Sequence, residues 1–114
     1  MAPVEFAHPV EQAVADVLDG LGISWLYEPH TFTLAEDENG NVSTAFTPDF
    51  YLPEIGVYIE CTVAKRKYLN GKRQKVRAAR EQHGIMCEIA YRDDFERIAE
   101  RWSLPHLTAV LKAA

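Results

Sequence analysis

The first sixty residues contain no lysine and no arginine, although they carry eleven acids. Long apolar runs are also missing. No stretch of eighteen apolar residues exists, so no membrane span is expected. Met1 to His8 lacks a basic region followed by an apolar one, so no secretory signal is expected and cytoplasmic residence is the default. There are only two cysteines, Cys61 and Cys87, both in apolar strand-like runs. Without Cys-x-x-Cys spacing they read as buried free thiols rather than a disulfide or a zinc pair. The four histidines show no ligand spacing. No nucleophile elbow and no Gly-x-x-x-x-Gly-Lys phosphate loop is present, which removes those two catalytic classes.

What remains is one small domain over residues 1–114, with 47% apolar residues and twelve aromatics for a single core. His8-Pro9-Val10-Glu11 opens a helix, with Pro9 at its first position. Gly20 and Gly22 end it. Ile23 to Glu28 alternates as a first strand, and Thr31 to Leu34 begins a second strand or an extension of it. Residues 36–41 form a loop with an Asn-Gly turn. Thr44 to Leu52 reads as one strand and Gly56 to Val63 as the next. Gly71 to His83 reads as a helix, Ile85 to Tyr91 as a strand, and Asp93 or Asp94 as the cap of a helix running to Trp102. A short helix follows over residues 104–113. The order is αβββαβα, an α/β (mixed α+β) chain with a three-strand meander and a parallel crossover into the last strand.

Two acids interrupt the strand-like runs. Asp49 stands in Pro48-Asp49-Phe50-Tyr51, and Glu60 in Ile59-Glu60-Cys61-Thr62. Tyr51 to Ile59 reads as a hairpin turning at Pro53 to Gly56, which returns Asp49 and Glu60 to one end of the sheet. Carboxylates in apolar strands are costly unless compensated. A hard cation such as Mg²⁺ compensates them with oxygen ligands. The bland alternatives are a turn aspartate at Asp49 and a salt bridge from Glu60 to Lys65 or to a lysine of the following helix.

This arrangement resembles the PD-(D/E)XK nuclease superfamily, the restriction-endonuclease-like fold, over residues 8–101. Pro48-Asp49 and Glu60-Cys61-Thr62 match its motif, with Thr62 where the family has lysine. The resemblance implies Mg²⁺ or Mn²⁺ held by Asp49, Glu60 and the Cys61 carbonyl, and metal-dependent hydrolysis of DNA phosphodiesters. It also implies an acid near the metal from the first helix. Glu11 is that candidate, although helix capping explains it equally well. Thr62 offers a hydroxyl but no charge. Lys65, Lys72 and Lys75 are candidates to replace the missing lysine, and Gln74 is a further polar one. Lys72 and Lys75 lie one turn apart. The size and layout look like those of Holliday-junction resolvases and short-patch repair endonucleases, which implies branched or damaged DNA and a homodimer.

Charge distribution points the same way. Net charge is −5, yet residues 65–80 hold eight of the twelve basic residues and no acid. Lys65, Arg66, Lys67, Lys72, Arg73, Lys75 and Arg77 are the phosphate-binding candidates of that block. A solvated helix face that balances the acidic half is the plain alternative. Two rival functions stand beside the nuclease: a catalytically inactive nucleic-acid-binding module on the same fold, and a protein-interaction domain pairing acidic and basic halves.

Overall fold

Helix α1 (Pro9–Gly20) begins where the sequence places it. His8 is extended, and its Nδ1 accepts the Val10 N–H at 3.1 Å. Pro9 fills a position whose N–H has no helical partner to lose. The computed structural model describes residues 4–63, 69–101, 108, 109 and 112. Residues 65–67 and most of the expected 104–113 helix lie outside these. Beyond α1 come β1 (Leu26–Tyr27), β2 (Phe32–Glu36), β3 (Val42–Phe46), β4 (Phe50–Leu52) and β5 (Val57–Cys61). Helix α2 (Asn70–His83), strand β6 (Met86–Ala90) and helix α3 (Arg92–Arg101) complete the order. No described helix is long and apolar enough to cross a membrane.

The main sheet has the order β1-β4-β5-β6. β4 runs antiparallel to β1 and β5, while β5 and β6 are parallel through α2. The chain is therefore mixed α+β with a mixed sheet. The hairpin turn at Pro53 to Gly56 forms as expected, with the Gly56 N–H donating to the Leu52 carbonyl at 2.8 Å.

The expected strand Thr44 to Leu52 is instead broken. Phe46 ends β3, Phe50 starts β4, and Asp49 sits at a bend between them rather than within a strand. Pro48 has no N–H for a ladder and is almost fully buried, so pairing stops there. The expected three-strand meander is present as β1-β4-β5, with both pairings antiparallel, and the difference lies in the strands between β1 and β4. β2 and β3 pair only with each other, as a separate two-stranded sheet, and β1 skips past them to pair with β4.

Alternation along the strands divides the core into two clusters. Phe50, Leu52 and Cys61 pack with Val10, Ala13 and Leu18 of α1 and with Phe95 and Ala99 of α3. Tyr58 and Cys87 pack with Val76 and Ala79 of α2 and with Phe46 of the hairpin. Glu60 alternates with Ile59 and Cys61, so it shares the α2 side with Tyr58. The β2–β3 hairpin is tied to α2 through His83, whose Nε2 lies 2.8 Å from the Thr33 carbonyl and whose ring packs on Phe32.

Gly84 ends α2 in the left-handed region, with φ 65°, and its N–H caps the Arg80 carbonyl. A side chain there is strained whatever space surrounds it. Gly84→Ala is expected to lower the unfolding free energy by ~1 kcal/mol in urea titration, with the m-value unchanged.

Candidate active site

The bend at Asp49 and the end of β5 are locked together by two crossed hydrogen bonds. The Asp49 N–H donates to Glu60 Oε1 at 3.1 Å, and the Cys61 N–H donates to Asp49 Oδ2 at 2.7 Å. Each acid thus satisfies the backbone of the other strand where Pro48 has interrupted the ladder. Asp49 and Glu60 are both 8% exposed. The hairpin that links them sets this register, with Phe50 opposite Ile59.

Lys72 closes the group from α2. Its Nζ lies 3.3 Å from Glu60 Oε2 and donates to the Cys61 carbonyl at 3.0 Å. The pair is largely shielded, with side-chain exposures of 31% for Lys72 and 10% for Glu60. The spacing 72, 76, 79 puts Lys72 on the face that buries Val76 and Ala79 one and two turns later. A cation in the first turn of a helix opposes the helix dipole. No acid stands in that turn to offset it. Glu60 supplies the compensating charge from the sheet.

Glu11 approaches from α1. It is buried, and its Oε1 accepts the Tyr27 hydroxyl at 2.6 Å, while the Tyr27 hydroxyl oxygen in turn accepts the Ala7 N–H. Burial pushes the Glu11 carboxyl up, and the Asp49 charge adds to the effect. So Glu11 is electrostatically linked to Asp49, with its carboxylate bonded to Tyr27. Its helix-capping alternative does not describe this contact, and the long-range Tyr27 partner carries no local sequence signal. Among the described residues, no three Asp, Glu, His or Cys side chains converge as a metal-binding group. The oxygen donors gathered here are two carboxylates and one backbone carbonyl.

Thr62 is buried, and its N–H extends the β5–β6 pairing by donating to the Ala90 carbonyl at 3.0 Å. The Cys61 thiol is shifted up by burial and by the nearby acids, so it stays protonated. Lys75 is exposed and makes no ion pair among the described residues, in a cleft of about 440 Å³ lined also by Ala45, Phe46, Thr47, Glu60, Gly71 and Lys72. Arg73 is held against the body, 5.9 Å from the Tyr91 ring centroid. Arg77 and Gln74 are exposed, and Glu28 is exposed at φ 46° with its N–H on the Asp49 carbonyl. Lys65, Arg66 and Lys67 lie outside the described residues. A larger hollow of about 600 Å³ runs along α3. Arg97 there is already paired with Asp93 and Asp94.

The chain matches no protein-family model, no curated protein and no solved structure.

Burial, and then the Glu60 charge, push the Asp49 carboxyl up to about 7 from 3.8. Asp49 therefore binds its proton more tightly folded than unfolded. Its contribution to stability is full below the unfolded value and is lost as pH rises through about 7. Asp49→Asn keeps an acceptor for the Cys61 N–H without the charge. In metal-free buffer its melting temperature is expected to match wild type near pH 4 and to exceed it increasingly toward pH 8. Parallel curves would mean that Asp49 titrates normally.

Proposed function

We propose that this chain is a small metal-dependent endonuclease of the PD-(D/E)XK type, acting on DNA. The single observation behind the reading is the crossed Asp49–Glu60–Cys61 lock with Lys72 bonded to it. The main sheet supports it. With the β2–β3 hairpin taken as an insertion, the remaining elements run α1-β1-β4-β5-α2-β6-α3, the αβββαβα order of that family.

The donor chemistry suits Mg²⁺ or Mn²⁺. Asp49, Glu60 and the Cys61 carbonyl are all hard oxygen donors. Two buried carboxyls, Asp49 and Glu60, share one ammonium, Lys72, and the Glu11 carboxyl acts on Asp49 from the α1 side. A metal bound there supplies phosphate polarisation and a more acidic water. The chain's own residues do the rest. Asp49 and Glu60 hold and orient, and the crossed backbone bonds fix their carboxylates. Lys72 reaches the carboxylate from α2, the replacement-lysine role that Thr62 leaves open. Lys75 offers the cleft a cation for a phosphate oxygen. The acidity of Asp49 means that loading displaces a proton and strengthens as pH rises through about 7.

A second reading rests on the same Lys72 contact. A lysine paired with Glu60 satisfies the buried acid without a metal, which suits an inactive nucleic-acid-binding module. Cleavage separates the two. Wild type is expected to cut at least one of duplex, nicked, flap and four-way-junction DNA in Mg²⁺ or Mn²⁺, with Asp49→Asn and Glu60→Gln inactive. Salt-sensitive binding with no cleavage in either metal favours the module. Lys75→Ala is expected to weaken DNA binding and to reduce the salt slope by about one, measured by fluorescence anisotropy. An unchanged slope removes Lys75 from the phosphate contacts.

A further inference from the structure

Lys72 Nζ lies 3.0 Å from the Cys61 carbonyl and 3.3 Å from Glu60 Oε2. Those are two of the three oxygen donors assigned above to a divalent ion. Such an ion needs ligand oxygens at roughly 2.0–2.1 Å in near-octahedral array. An ammonium seated between the same oxygens occupies that space, and its charge repels a second cation. We propose that Lys72 is a tethered internal cation, which competes with the divalent ion for Glu60 Oε2 and the Cys61 carbonyl and so sets how readily the site loads. This rests on the metal-dependent reading of the site.

Lys72 has the means to leave. Its stem is a flexible four-carbon chain, and the side chain is partly exposed, at 31%. The open cleft beside it, which Lys75 also lines, offers room for the displaced ammonium. Its anchor does not have to move, because Val76 and Ala79 hold α2 against the sheet. In the metal-free protein Lys72 keeps a buried glutamate neutralised. Once displaced, the same ammonium is beside the cleft, where a phosphate would take it as a partner.

Titration calorimetry with Mn²⁺ on the full chain tests this. Lys72→Gln keeps a donor for the same oxygens but carries no charge. It is expected to bind Mn²⁺ about tenfold tighter than wild type, the scale of removing a competing unit charge. Lys75→Gln, an exposed neighbour, is expected to stay within about twofold, since water and salt screen it. In the wild type, Mg²⁺ saturation is expected to speed reductive methylation of Lys72 several-fold, read by peptide mass spectrometry.

Equal or weaker binding by Lys72→Gln overturns the competition, while the metal reading stands as long as Asp49→Asn abolishes the wild-type signal. An equal gain in Lys75→Gln also overturns it, because the effect is then only general repulsion. If Lys72→Gln does not fold, wild-type labelling decides, and unchanged Lys72 reactivity at saturating Mg²⁺ overturns the proposal. Absence of Mn²⁺ binding in every variant overturns both the proposal and the metal reading.

Discussion

The exchange of backbone hydrogen bonds between Asp49 and Glu60–Cys61 is the constraint on which the rest of the structure depends. Pro48 cannot donate to a ladder, so the chain loses its pairing just where β3 would run into β4. The two carboxylates replace the missing bonds, each accepting from the other strand. That solution buries two acids side by side. A buried charge without compensation is far costlier than the hydrogen bond it makes. Compensation arrives from α2 as Lys72, on a helix that Val76 and Ala79 hold against the sheet. Removing one partner of such a pair costs more than breaking a surface ion pair, because the glutamate is left buried without its cation.

Much of this corner is legible in the sequence, because its contacts are local or periodic. A four-residue turn between two short apolar runs fixes the register that brings Asp49 to Glu60. Helical spacing puts Lys72 in line with Val76 and Ala79. A lysine at the start of an inward stripe is a signal in itself, since it must find an acid inside. Other parts are not legible. Thr44 to Leu52 has the composition of one strand, and only tertiary pairing shows that Pro48 divides it into two sheets. The β2–β3 hairpin is held to α2 by His83, whose partners Thr33 and Phe32 lie fifty and fifty-one residues before it in the chain, which no local pattern reveals. Glu11 looks like a first-turn helix acid. Its burial against Tyr27 depends on how α1 crosses β1.

The basic block of α2 is divided between two tasks. Lys72, Arg73 and Arg80 are turned to the protein itself: Lys72 to Glu60, Arg73 to Tyr91, and Arg80 to the Cys87 carbonyl and Glu88. Arg80 also sets a charged group against β6, the last strand of the main sheet among the described residues, which discourages edge-to-edge pairing. Lys75 and Arg77 remain exposed. The count of positive charges in a sequence block therefore overstates what faces a polyanion. The positions, rather than the total, decide the electrostatic footprint.

Thr62 and Lys72 are best understood together. Alternation puts residue 62 on the same side of β5 as Glu60. A lysine at 62 would bring a second ammonium to a carboxylate that Lys72 already serves, and the two would repel. A short side chain at 62 removes that conflict, so the helix lysine can reach the acid. The nuclease reading and the binding-module reading consequently share every element of the fold and every hydrogen bond of the corner. They differ in one quantity, the free energy needed to lift Lys72 from Glu60. If a divalent ion outweighs that cost, the corner can hold a metal and the displaced lysine is free for phosphate. If it does not, the same residues form a closed ion pair and α2 is left to bind through its exposed lysine and arginine. Between these two readings the strength of a single ion pair decides, and the topology does not.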